Sequence, residues 1–433
     1  MRFVSTRRSD IAASLSTAIE DGIAAEGGLY VPGHLPAMPA DAFPDADALQ
    51  LIATHLLRPF ASGDRLEPHL EAICREAFNF PAPLAALAGT PGPASVLELF
   101  HGPTCAFKDF GARFLAGCLG QLHQGGRKVT ILVATSGDTG GAVAAAFHNV
   151  PWADVVLLYP KGLVSPRQAQ QLACWRGNVR TFAVLGTFDD CQRMVKEAFL
   201  DPALARTHQL SSANSINIGR LLPQLAYFAS ASLQIWRREA RRPNFIIPAG
   251  NLGNATACVL AREMGLPIGD IVLATNENRT IVDYLESGTW EPRPSVATLA
   301  SAMDVGNPSN MERLRWLWPD PVELRRWISA YVVSDEEIRS IIATDARSIG
   351  RVWCPHTATA AHVYRQVGSR RRDEHWVIVA TAHPAKFSDI VEPLTGEAVP
   401  VPAALEKLLA LPRREQDLPP ALEALRGQLQ RPP

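Results

Sequence analysis

The chain has no C-x-x-C pair, no uninterrupted apolar run of membrane-spanning length, no repeat of solenoid length and almost no net charge. Each absence excludes something. Its seven cysteines (Cys74, Cys105, Cys118, Cys174, Cys191, Cys258 and Cys354) are an odd number without metal-ligand spacing, so neither a zinc site nor a disulfide framework is implied. They read as buried thiols of a reducing compartment. Without a stretch of about 18 apolar residues there is no spanning helix, and without an apolar segment near the N-terminus there is no secretion signal. A cytoplasmic location is the expectation. A formal net charge of -1, from 42 basic and 43 acidic side chains, gives no reason to expect nucleic acid or an anionic membrane as partner. Any bound anion must then be held by local geometry.

What is present is apolar material for two cores, 47% of 433 residues with only 20% charged. Short apolar runs at 129–134, 155–159, 179–185 and 245–248 are each followed by helical periodicity, and two more lie at 271–275 and 376–380. Strands alternating with helices predict parallel sheets covered on both faces. The first ninety residues differ, with helical patches at 11–22 and 48–57 and a Pro/Ala/Gly-rich connection at 81–93. Residues 290–310 are irregular, 221–236 read as one long apolar helix, and 412–419 separate two short C-terminal helices on the surface.

The most informative segment runs from Leu97 to Gly111, where Lys108 stands among Cys105, Phe107 and Phe110 just after the helix-start residues Gly102, Pro103 and Thr104. A lysine there is ordinarily solvated, its stem covering an aromatic neighbour. Shut in an apolar pocket it would tend to the neutral amine, the form that makes a Schiff base with an aldehyde. Other segments support that reading. Asn244 to Ala257 is a strand, a glycine-interrupted turn and a small-residue helix start, a combination that can cradle a phosphate on Gly250, Asn251, Leu252, Gly253 and Asn254. The turn lacks the lysine and hydroxyl residue of a nucleoside-triphosphate loop and the three glycines of a dinucleotide loop. A second small-residue loop, Ala134 to Ala142, offers Ser136 and Thr139 hydroxyls and a helix N-terminus to a carboxylate, with Asp138 readable as a plain N-cap. Ser211 to Arg220 gathers Asn214, Ser215 and Arg220, either a phosphate site or a capped helix start with a surface arginine. Ala380 to Phe387 closes the last long strand and carries Thr381, a hydroxyl able to face a ring nitrogen, and Lys386, a charge for an anion.

In this order, together with Gly27 to Pro32, Asn214 to Asn217 and Ser301 to Val305, these segments resemble threonine synthases of the bacterial and fungal type, within the fold-type-II enzymes that use pyridoxal 5'-phosphate (PLP). The resemblance covers nearly the whole chain, and the segments around Lys108 and His383 are its most specific parts. It implies an α/β protein of two open parallel-sheet domains, like the tryptophan synthase β subunit, with a mostly helical N-terminal cap. The cap would be 1–95, the large domain 96–127 and 206–433, and a small inserted domain 128–205. Lys108 would hold PLP, the backbone at 250–255 its phosphate, Thr381 its pyridine nitrogen, and Asp138 would lie near its ring hydroxyl. Ser136 and Thr139 would meet the substrate's carboxylate or phosphate, Asn214, Ser215 and Arg220 its phosphate, and Lys386 more weakly the same anion. Asn254 stands where relatives often carry aspartate, and Leu252 where phenylalanine is common. The implied reaction turns O-phospho-L-homoserine and water into L-threonine and phosphate, by γ-elimination and addition of water at Cβ. No metal is implied, and a monomer is expected, with a dimer as the other possibility. Two alternatives stay open: a serine/threonine dehydratase or β-replacing synthase on the same fold, and a non-catalytic paralogue that binds phosphorylated metabolites.

Overall fold

Two parallel sheets organise the protein in the computed structural model, which describes residues 1–45, 48–90 and 92–430. The larger has six strands in the order Ile328–Val332, Ile271–Thr275, Asn244–Pro248, Trp376–Ala380, Ala94–Glu98, Leu84–Ala86. All its neighbours are parallel except the last pair, with Leu84 opposite Leu97. The smaller is wholly parallel, in the order Gln416–Leu418, Val179–Val184, Ala153–Pro160, Val129–Ala134, Gln209–Ser211. Every residue of Val129–Ala134, Asn244–Pro248, Ile271–Thr275 and Trp376–Ala380 is buried. Helices cover both faces, so these strands read as unbroken apolar runs rather than alternating ones. Each Val, Leu or Ile so placed contributes about 1.5–3 kcal/mol of burial.

The N-terminal cap is mostly helical, as expected, with the helices Leu15–Asp21, Leu49–Ala61 and Leu70–Ala77; beside them Phe3–Ser5, Ala12–Ala13 and Tyr30–Pro32 form a small antiparallel sheet that the sequence did not announce. Strands of two or three residues are too short to show a period. The expected division of the chain also differs from the strand pairing. Leu84–Ala86 and Ala94 belong to the larger sheet rather than to a cap, while Gln209–Ser211 and Gln416–Leu418 join the smaller sheet. Leu418, Leu425 and Leu429 are buried against that sheet's own core, so the C-terminal segment completes the smaller unit. Finally, the single helix expected at 221–236 is interrupted. Ile218–Leu221 leads into a tight turn, Leu222–Gln224, around Pro223, before Leu225–Glu239 continues. Proline lacks the N–H that a continuous helix needs there.

Among the described residues no helix is long and apolar enough to cross a membrane.

Candidate active site

A cleft opens where loops leave the carboxyl ends of strands in both parallel sheets, the usual place for ligands in open α/β sheets. Gly250–Asn254 follow Asn244–Pro248, Thr135–Thr139 follow Val129–Ala134, and Thr381 follows Trp376–Ala380. Lys108, Ser136, Asp138, Thr139, Asn214, Ser215, Gly250, Asn251, Leu252, Gly253, Asn254 and Thr381 all line it. Arg220 and Lys386, the two remaining candidates, do not.

Lys108 is the first residue of the helix Lys108–Leu122, and the segment before it is fixed from two sides. Ala106 bridges Ala382, Phe107 donates its N–H to Thr381 O at 2.9 Å, and His383 donates to Cys105 O at 3.0 Å. The buried Asp109 carboxyl accepts from the Thr104 N–H at 2.9 Å and its hydroxyl at 2.7 Å. This clamp holds Cys105 in the left-handed region at φ 55, where a non-glycine residue is uncommon. It also fixes Lys108 relative to Thr381. Burial lowers the Lys108 amine to a pKa of about 7, Arg220 adds to the effect and Asp138 opposes it. The partial positive charge of a helix N-terminus acts in the same direction. Lys108 Nζ lies 4.2 Å from the Phe107 ring centroid, a contact that favours the cation but does not offset the burial, and the residue lines the cleft.

Lys386 has a different setting. Its Nζ pairs with Asp138 Oδ1 at 2.7 Å and donates to Thr104 O at 2.8 Å, fully buried. Gln168 Nε2 donates to the same Asp138 oxygen at 2.9 Å, while its Oε1 accepts from the Ser165 N–H and so completes that helix's capping box. Lys386 and hydrogen bonds outweigh desolvation and hold the Asp138 carboxyl below its ordinary range. Asp138 is therefore an anion in a buried pair rather than a bare N-cap.

Arg220 is also buried, its guanidinium donating to Ala213 O, with Nε lacking a partner among the described residues. Gly111 makes room for it, since a Cβ there would meet Arg220 O at 2.8 Å and Nε at 3.0 Å.

The turn after Asn244–Pro248 needs its glycine and tolerates a strained neighbour. A Cβ on Gly250 would lie 2.8 Å from Met303 Cα, a backbone atom that cannot swing away. Leu252 takes a left-handed conformation, φ 64, as it enters the helix Gly253–Glu263, whose first N–H groups have no acceptor within the helix. Side chains anchor the turn: Asn251 Nδ2 donates to Ser215 Oγ at 2.9 Å, Ser309 N–H to Asn251 Oδ1 at 2.5 Å, and Asn254 Nδ2 to Pro248 O at 3.0 Å. In the other loop, Thr135 Oγ1 accepts from Gly137 and Gly140 N–H groups at 3.0 and 2.8 Å. Gly137 has φ 132, and a Cβ there would meet Gln168 Nε2 at 2.4 Å.

Sequence reasoning missed several lining residues: Phe188 and Gln192, Ala302, Met303 and Val305, and His356. His356 follows Pro355 in the first turn of Pro355–Val367, and a histidine just past a helix-starting proline was the available signal. The loop bearing Ala302 is propped from behind by Asp304, which accepts from Asn276 Nδ2 and Thr298 Oγ1, both at 2.7 Å. Burial pushes the Asp304 carboxyl up to about 7.

The residues present fit a phosphorylated pyridoxal. The Gly250 turn packs so closely on Met303 that it admits no Cβ, the lysine lining the same cleft has a lowered pKa, and two buried polar atoms, Asn214 Oδ1 and His356 Nδ1, have no partner among the described residues.

Comparison with known proteins agrees with this geometry. Residues 83–382 match the family model described as pyridoxal-phosphate dependent enzyme, residues 2–78 that of the threonine synthase N terminus, and residues 357–428 that of the threonine synthase C-terminal region. The chain is 40% identical to threonine synthase of Serratia marcescens over 417 residues, 95% of each chain, and 38% identical to that of Escherichia coli K12 over 415, again 95% of each. Among solved structures it superposes on Escherichia coli threonine synthase with a TM-score of 0.90 at 37% identity, covering 99% of both chains. PLP-bound threonine synthase from Brucella melitensis gives 0.89 at 33% identity, covering 99% of this chain and 98% of that one.

Proposed function

The chain belongs to the threonine synthase family of PLP-dependent enzymes, and from that premise we propose that its cleft converts O-phospho-L-homoserine and water to L-threonine and phosphate. The observation that carries this is the Lys108 amine, lowered to about 7 and facing the same cleft as the Gly250 cradle. PLP, when bound, supplies an electron sink for carbanions at the substrate's Cα and Cβ.

The chain's own residues do the rest. Gly250 to Asn254 would hold the cofactor phosphate with backbone N–H groups and the dipole of the helix Gly253–Glu263. Thr381 would offer the ring nitrogen a neutral hydroxyl, which cannot protonate it as an acid would. Lys108 would be the residue that holds the cofactor's aldehyde, and its amine, when free, would be the base for the Cα proton. A pKa of about 7 suits that task, because the base form is well populated at neutral pH. Ser136, Thr139 and the N-terminus of Asp138–Phe147 hold the substrate carboxylate, and Asn214 and Ser215 take the substrate phosphate. Arg220 and Lys386 act from behind the wall. Arg220 helps keep Lys108 neutral, and Lys386 fixes Asp138.

The test is the product. Purified protein reconstituted with PLP should absorb visible light, trap the cofactor on Lys108 with borohydride, and form threonine and phosphate from phosphohomoserine. Pyruvate or 2-oxobutanoate from serine or threonine as the main product would favour a dehydratase. A colourless, inert protein would leave only a binding role.

A further inference from the structure

His356 is 3% exposed, packs its ring 4.9 Å from that of Phe387, and lines the cleft. Its Nε2 accepts the Ala302 N–H at 3.0 Å. A neutral imidazole has one acceptor and one donor nitrogen, so the proton must sit on Nδ1. That Nδ1 has no partner among the described residues. Burial is the main force keeping the ring neutral; Asp138 opposes it, Lys386 and Lys108 reinforce it, and the pKa falls to about 4. His356 is thus a fixed tautomer in the wall of the cleft, with a buried Nδ1–H that no described residue accepts.

PLP presents four polar points: phosphate, aldehyde, ring nitrogen and phenolic oxygen. Under the reading above, the cradle, Lys108 and Thr381 meet the first three. Asp138 is the residue expected near the fourth, yet it is an ionised carboxylate whose Oδ1 is already bonded to Gln168 and Lys386. A carboxylate only accepts hydrogen bonds and would repel an ionised phenolic oxygen. What that oxygen needs is a neutral donor, and His356 lies close enough to Asp138 to feel its charge. We propose that His356 donates its Nδ1–H to the phenolic oxygen of bound PLP, in the tautomer that Ala302 imposes. Ala302 and its Asp304-propped loop are then positioning residues: they set which nitrogen of His356 meets the ligand.

The inference rests on the PLP reading, and the test separates the two. Pyridoxine 5'-phosphate keeps the phosphate and the phenolic oxygen but has an alcohol in place of the aldehyde, so it cannot react with Lys108. Its affinity, and the ultraviolet bands that report ionisation of its phenol, are measured on the full chain as wild type, His356→Gln and His356→Asn. Glutamine can keep the acceptor for Ala302 and loses the donor at the Nδ1 position; asparagine can keep the donor and loses the acceptor. The expected result is about tenfold weaker binding by the glutamine variant, with its bound ligand shifted to the protonated phenol, and a smaller loss for asparagine with the ionised form retained. Equal binding by all three, or a loss confined to asparagine, would overturn the proposal and leave His356 a support for the loop. If neither variant folds, histidine ¹⁵N shifts of the unliganded wild type decide: a proton on Nδ1 at neutral pH supports the proposal, and one on Nε2 overturns it. Failure of the wild type to bind either pyridoxine phosphate or PLP would instead defeat the cofactor reading itself.

Discussion

Lys108 and Lys386 are both placed by segments that meet at the end of the larger sheet, and the charge of Asp138 reaches both, yet they are held in opposite ways. Lys386 has a carboxylate at 2.7 Å and a carbonyl at 2.8 Å, which compensate its burial. Lys108 has an aromatic ring at 4.2 Å and a guanidinium whose charge works against its own, so burial lowers its pKa to about 7. One amine is a structural cation and the other a reagent, and the difference is set by partners rather than by depth. Their local sequences, Cys-Ala-Phe-Lys and Pro-Ala-Lys-Phe, look much alike.

The comparison can be broken most sharply at Lys108. Lys108→Ala should abolish borohydride trapping and lower turnover by about 10³-fold or more, and Lys386, being paired, should not take its place as the labelled residue. Peptide mapping after trapping checks both points. Lys386→Met should instead act on stability, because it leaves the buried Asp138 uncompensated, at a cost of about 3–5 kcal/mol in urea unfolding at neutral pH. Adding Asp138→Asn should recover much of that loss. The sign with pH follows: Asp138 is held below its ordinary 3.8, so the pair's contribution is present above that value and is lost as pH falls through the lower folded value. The Lys386→Met protein should therefore lose less stability in acid than the wild type. Gly250→Ala pushes a Cβ against Met303 Cα and should weaken phosphate and PLP binding about tenfold or more, read by equilibrium dialysis, with Lys108 still reactive. The smallest effect is expected from Arg220→Ala. Without that cation the pH midpoint for labelling Lys108 with an amine reagent should rise above about 7, and an unchanged midpoint would remove Arg220 from the account of Lys108.

Most of the central architecture was legible because buried parallel strands announce themselves as apolar runs; 129–134, 271–275 and 376–380 are strands over those residues. Leu84–Ala86, Gln209–Ser211 and Gln416–Leu418 were not, since three residues at a sheet edge carry no period and their pairing is decided by distant chain. Within the site, the glycine turn and the hydroxyl loop were readable from backbone needs alone. The partnership of Asp138 with Lys386 was not, because it joins positions far apart in the chain, and neither residue betrays in sequence whether it faces a ligand or another side chain. His356 was missed for a similar reason: its tautomer depends on the Ala302 N–H, a contact that only the folded chain creates.

The strand Gln416–Leu418 carries a consequence for biosynthesis. It lies along Val179–Val184, with Gln416 opposite Phe182, and Arg426 nearby forms an ion pair with Asp201 at 2.5 Å. On a ribosome, Val179–Val184 emerges long before its outer neighbour has been translated. Until then one flank of the smaller sheet has exposed N–H and C=O groups open to any passing strand, a liability a nascent polypeptide must survive with chaperone cover or speed.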